Sequence, residues 1–220
     1  MRVLLPIAAA ILCFAGTPAG AQQMNGTDAH ARVSAARFAT CLVRHGARSW
    51  RAVLKEPVGG EGWMARFQRN LDSVCLRDYR AENVQGVTVM SLSFTPLLLR
   101  GNMFDALYRI DFGAKPAVAS FDAIPALVYP VADGAEETVA QPYLVNMALG
   151  DCVARKAPGE ARAFLLTEVA SAAETAALQA LAPAFAACVP AGAELALTRS
   201  KARAALAEPL YRLTQGQVNP

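Results

Sequence analysis

Apart from one cysteine in the N-terminal apolar stretch, the chain holds Cys41, Cys75, Cys152 and Cys188, spaced by 34 and then 36 positions within each pair. Two nearly equal intervals suggest a unit written twice, and the flanking sequence agrees. "CLVRHGARSWRAVL" at 41–54 aligns with "CVARKAPGEARAFL" at 152–165, matching Arg44 to Arg155, Arg51 to Arg162 and Leu54 to Leu165. Further on, "TPLLLRGNMFDALYR" at 95–109 aligns with "TRSKARAALAEPLYR" at 198–212. That register matches Thr95 to Thr198, Arg100 to Arg203, Leu107 to Leu210, Tyr108 to Tyr211 and Arg109 to Arg212. The separation falls from 111 to 103 positions because the first copy carries extra residues between Cys75 and Phe94, partly cancelled by two fewer between its cysteines. Insertions of that kind belong in loops.

Four cysteines admit three pairings. Duplication favours Cys41 with Cys75 and Cys152 with Cys188, each copy closing its own loop, and on the chain-entropy model each closure is worth about 4 kcal/mol. Zinc is the rival use of four cysteines. No C-x-x-C and no suitably spaced histidine accompanies them, so the sequence implies neither metal nor cofactor.

Apolar periodicity gives each copy about four helices. The first spans about 31–44 and about 142–155, with its cysteine near the C-terminal end. The second carries Trp50, Val53 and Leu54, then Ala161, Phe164 and Leu165. The third starts near Glu61 and Glu174, each acid in a first turn where the helix dipole favours it. The fourth opens on Thr95 as N-cap and Pro96 as N1, with Thr198 repeating the cap. Leu99, Met103, Leu107 and Ile110 form its apolar face. "VTVMSLSF" at 87–94 and "ELAL" at 194–197 alternate as short strands do. The fold class expected is therefore all-α, a tandem duplication of a roughly four-helix unit with one disulfide each and room for a small two-stranded element. Its parts are a leader at 22–30 expected to fray, a first copy at 31–109, a connector at 110–141, a second copy at 142–213 and a tail at 214–220. The apolar residues of the connector suggest that it packs down on the helices.

The opening "MRVLLPIAAAILCFAGTPAGAQQ" has Arg2, an apolar run from Val3 to Ala15 and small residues at Ala19 and Ala21. This is the layout of a secretory signal peptide cleaved after Ala21. The run is too short for a bilayer, which needs roughly 20 apolar residues, and Cys13 leaves with it. A periplasmic or secreted chain with no membrane span after cleavage is the expectation. Alanine supplies 46 of 220 residues, which leans the composition towards helix. Removing the signal takes one arginine and no acid from the totals of 21 and 18. The remaining balance is nearly neutral, and without a Lys/Arg block it carries no nucleic-acid footprint.

The layout of a cysteine-bearing helix, a second cysteine and a helix ending in "DALYR" or "AEPLYR" resembles a group of uncharacterised secreted helical proteins from alphaproteobacteria. In those, an "LRGALAEALYR"-like helix recurs. The resemblance implies the duplicated helical fold and attaches no activity. Pro209 departs from it, since a mid-helix proline is expected to kink or end the last helix.

Asp105 and Arg109 stand four apart, as do Glu208 and Arg212, the spacing at which helix side chains meet. The plain reading is a pair of intrahelical salt bridges beside a packed tyrosine. The sharper reading is that Arg100, Tyr108, Arg109, Arg203, Tyr211 and Arg212 line a groove between the copies. Such a groove would hold an envelope protein or a small anionic or peptidic ligand, because arginine's forked donors suit carboxylates and phosphates. Catalysis has less to work with. His30 lies in the polar leader, and His45 has Lys156 at its matching position. No G-x-S-x-G, H-E-x-x-H, P-loop or dinucleotide pattern occurs. The sequence therefore points to a non-catalytic interaction or ligand-binding protein of the cell envelope, with a hydrolase using carboxylates in the seam as the rival.

Overall fold

The computed structural model describes residues 21–60, 63–71, 74–75, 95–192 and 197–218. Seven helices lie within them: α1 (Ala21–Val53), α2 (Trp63–Arg69), α3 (Pro96–Phe112), α4 (Glu137–Lys156), α5 (Pro158–Leu166), α6 (Ala172–Cys188) and α7 (Arg199–Val218). No strand occurs among the described residues, where the one β-type pairing is an isolated parallel bridge between Val58 and Val131. The segment 87–94 and most of 194–197 lie outside the described residues, as does the apolar opening at 1–20.

Helix α1 begins about ten residues before the expected start and merges the first two predicted helices. Its break is at Gly46, whose φ of −142° and ψ of 37° leave the helical region, so that Trp50 and Val53 turn inward and are buried. The same juncture in the second half is a true interruption, because Pro158 forces α4 to stop and α5 to start afresh. Thr95 accepts the Leu98 N–H at 3.4 Å and Thr198 accepts the Lys201 N–H at 3.2 Å, which are the two expected N-caps. Both disulfides form as paired, Cys41 with Cys75 and Cys152 with Cys188, at Cα separations of 5.7 and 5.9 Å. Each ties the C-terminal part of a first helix to the end of its own loop.

Helices α3 and α7 form the centre and pack most extensively on each other, with α1 laid on α3 and α4 on α7. They cross at Gly101 and Ala204, two positions the alignment pairs with each other. A Cβ on Gly101 would fall 2.4 Å from the Ala204 Cβ. In α3 every residue from Met103 to Tyr108 is buried. Leu99, Met103 and Leu107 lie in the core as expected, but Ile110, in the last turn of α3, is exposed.

Pro209 does not end α7, which runs on to Val218. Proline cannot donate to the Ala205 carbonyl and its ring crowds that turn. The facing residue on α4 is Gly150, where a Cβ would stand 1.9 Å from the Ala205 oxygen and 3.0 Å from the Pro209 Cγ. The missing side chain is the space into which the displaced carbonyl and the ring fit. The connector packs down as expected. Phe121 is fully buried, and Ile124 and Leu127 lie against the core.

Candidate functional site

The matched arginines of α3 and α7 reach across the centre to each other's helix. Arg100 donates through Nε to Glu208 Oε2 and through Nη2 to Glu208 Oε1, both at 2.7 Å, and Nη2 also reaches the Leu54 carbonyl. Arg203 donates through Nη1 to both Asp105 oxygens at 3.3 Å and to the Leu165 carbonyl. Glu208 and Asp105 occupy matched positions, and so do Leu54 and Leu165, so the bonds are reciprocal. The intrahelical pairs close the same acids from the other side: Arg109 on Asp105 and Arg212 on Glu208. The tyrosines follow the pattern. Arg162 donates to the Tyr108 hydroxyl, and Arg51 stands beside Tyr211, whose own hydroxyl donates to Asp111 at 2.8 Å.

A third buried acid is Glu174, whose expected counterpart, Glu61, lies outside the described residues. Glu174 is the N3 residue of α6, whose N-cap Ser171 accepts its N–H, and its Oε2 takes the Ala170 N–H at 2.9 Å. Oε1 receives Arg32 at 2.6 Å and Arg203. Arg203 thus also holds the Phe164 carbonyl and the Thr167 hydroxyl. Ala170 sits in the left-handed region at φ 63°, a conformation that Glu174 pins by that bond.

Burial pushes the Asp105 carboxyl above its ordinary value, because its contacts to Arg203 and Arg109 are long and outweighed. Burial also works against ionised Glu174, yet the Arg32 hydrogen bond, the Arg203 charge and the Ala170 N–H together hold it below its usual value. Arg100 loses hydration and regains more from Glu208, so its charge is held more firmly than in water. Burial, then the Glu208 charge, raises the Tyr143 phenol, which donates to Glu208 at 3.0 Å.

The six predicted residues are therefore brought together, but as an interior. Arg100, Tyr108, Arg203 and Tyr211 are buried, while Arg109 and Arg212 are partly exposed. Two openings flank them. The smaller, about 190 Å³ between α3, α4 and α7, is bordered by Leu97, Arg100, Tyr143, Met147 and Lys201. The larger, about 660 Å³, lies along α1, and Thr40, Arg44, Asp105, Arg109 and Val169 are among its walls. Cys41, Cys75 and His45 also border it and cluster as metal ligands would, but the two sulfurs are joined in the disulfide.

Sequence reasoning passed over Arg155, a partly exposed side chain that makes four hydrogen bonds. It donates to the carbonyls of Phe121 and Ile124 through Nη1 and of Pro125 through Nη2, at 2.8 to 2.9 Å, while Nε pairs with Asp151. Tyr129 adds a hydrogen bond to Asp151 and lies under the Arg212 guanidinium. Val58 then receives the connector's end through two backbone bonds, to Pro130 and from Ala132. The signal was present, since Arg44 and Arg155 are identical between the halves. No family of known proteins matches the chain, and neither the curated proteins nor the solved structures compared with it gave a match.

Proposed function

We propose that the chain is a non-catalytic binding protein that works outside the cytoplasm, in the periplasm or beyond. The observation that carries this reading is the fate of the central carboxylates. Asp105, Glu174 and Glu208 each accept from two arginines, so none of these three central carboxylates is free for hydrolytic work. A two-carboxylate hydrolase needs one acid to give a proton and another to activate water or attack, both facing the substrate. Asp105, with a raised pKa, and the exposed Glu168 both border the larger cleft, which favours the hydrolase, but both Asp105 oxygens are already taken by Arg203. The cleft wall carries Arg44 and Arg109, and arginine donors suit carbonyls and carboxylates.

Two disulfides and a helical interior suit an oxidising compartment, and this supports export through a signal peptide cleaved after Ala21. The reciprocal bonds of Arg100 and Arg203 support tandem duplication. Native mass spectrometry of the oxidised chain incubated with envelope extract tests the function. A component retained at one per chain and released unaltered supports binding. A product that accumulates beyond the amount of protein present sinks it in favour of the hydrolase. N-terminal sequencing of the exported chain, starting at Gln22, tests the compartment.

A further inference from the structure

The two halves differ in one surface. Residues 121–132 of the connector lie along Tyr143, Asp151 and Arg155 of α4 and Arg212 of α7 and end on the backbone of Val58. The separations that relate the central network, 111 positions for α1 against α4 and 103 for α3 against α7, carry these wall residues onto the first half. Arg155 falls on Arg44, Asp151 on Thr40, Arg212 on Arg109 and Val58 on Val169. These four line the 660 Å³ cleft, while Tyr143 falls on Arg32, which is buried against Glu174 and does not border it. The cleft is the first half's version of the groove that the connector fills in the second.

We infer that this cleft is a docking groove for an extended, proline-interrupted apolar peptide segment of a partner protein, held by its main-chain carbonyls on Arg44. The deduction deepens the binding reading above and rests on it. The occupant's chemistry is read from the segment that fills the matching groove, "FDAIPALVYPV" at 121–131. The segment turns at 121–124, where the Phe121 carbonyl also accepts the Ile124 N–H, and runs on without regular structure from Pro125; Arg155 gathers the carbonyls of Phe121, Ile124 and Pro125 with one guanidinium. Proline's fixed φ also keeps such a segment extended before it binds, which lowers the ordering cost. Arg44 is placed to do the same and is less encumbered. Thr40 replaces Asp151 and turns its hydroxyl to the Ala36 carbonyl, so the acid that holds Arg155 within its own helix has no equivalent beside Arg44. Arg44 is exposed and makes no hydrogen bond or ion pair among the described residues. Val169 offers the backbone position at which Val58 adds two bonds to the connector. This is strand-like addition with side-chain anchoring, a common mode of peptide capture.

The probe is a fluorescent peptide of residues 119–133, "ASFDAIPALVYPVAD", titrated into the oxidised full chain and followed by anisotropy. The tethered connector occupies its own groove at high effective concentration, so added peptide reports the cleft on α1. One peptide should bind per chain, and Arg44→Ala should weaken it by at least about tenfold, the effect of losing charge-assisted bonds. A scrambled peptide should not saturate. Equal binding by the wild type and the Arg44→Ala chain, or no saturable binding, overturns the groove. So does an Arg44→Ala chain that melts as early as Arg155→Ala, because the cleft would then be filled by the chain itself. Failure of the peptide while an envelope component is still retained removes this inference and leaves the binding reading. A peptide that binds through Arg44 and is returned cleaved keeps the groove and removes the non-catalytic reading.

Discussion

The grooves at Arg155 and Arg44 have matching walls and different contents. In the second half the arginine is tied to Asp151 and to three connector carbonyls, and it serves the fold. In the first half Thr40 stands where that acid does, and the arginine faces the cleft. The contrast separates two uses of one residue type. Arginines at the α3 and α7 crossing are held by buried carboxylates and define the interior, whereas an arginine of the outer wall is structural or available according to what lies on it. Identity between the halves therefore locates the shared architecture, and the departures from identity locate the work.

The comparison breaks most sharply at the crossing. Arg203 serves two carboxylates and several main-chain groups, while Arg100 serves Glu208 and Leu54. Arg203→Ala leaves two buried acids short of a partner and should cost about 3–5 kcal/mol, measured by urea unfolding of the oxidised chain. Arg100→Ala should cost less. Equal losses would mean that Glu174 adds nothing to the second half.

Next in size is the pair Pro209 and Gly150, which stand where the first half has Ala106 and Ala39. Gly150→Ala should cost about 1–3 kcal/mol through overpacking against the Ala205 carbonyl. In a Pro209→Ala background that carbonyl regains its helical partner and draws back, so the same change should cost much less. Additive losses in the double-mutant cycle would show that the glycine and the proline are unrelated.

Most of the framework could be read before any coordinates. Cysteine spacing gave the disulfides, and Thr95 and Thr198 gave the starts of the central helices, because pairing and capping are written in adjacent residues. Pro209 misled, since whether a proline ends a helix depends on a residue nearly sixty positions away, Gly150. The repeated arginines and tyrosines were visible as a set. That they face inward depends on Glu174 and Leu165, which no local pattern links to Arg203. Arg155 and Arg44 were matched by identity, but that the connector lies on Arg155 follows from its path, which has no periodicity to read.

A smaller effect bears directly on the two grooves. Arg155→Ala frees the connector and should cost about 1–2 kcal/mol, a figure reduced because the side chain is partly exposed. Arg44→Ala should stay within about 0.5 kcal/mol, as exposed substitutions do. Limited proteolysis should cut near residues 121–127 in the Arg155 variant and leave the Arg44 variant with the wild-type pattern.

The finest test asks whether the acid beside the open cleft is held differently from the acid sealed in the second half. Glu174 is depressed below its ordinary 4.5, so its stabilisation is complete above that value and is lost as pH falls through the folded one. Asp105 is raised above its ordinary 3.8, so the cost of keeping it ionised is felt above its folded value and fades on acidification. The two carboxylates therefore push the acid side of the stability curve in opposite directions. Glu174→Gln should shrink the fall in Tm between about pH 7 and about pH 3, although it lowers Tm at neutral pH by weakening the grip on Arg32 and Arg203. Asp105→Asn should enlarge that fall, since a group that gains from protonation has been removed. If both variants shift the fall the same way, Asp105 is held by Arg203 and Arg109 as tightly as Glu174 is by Arg32, and the first half's cleft would have no weaker electrostatic floor than the closed groove opposite.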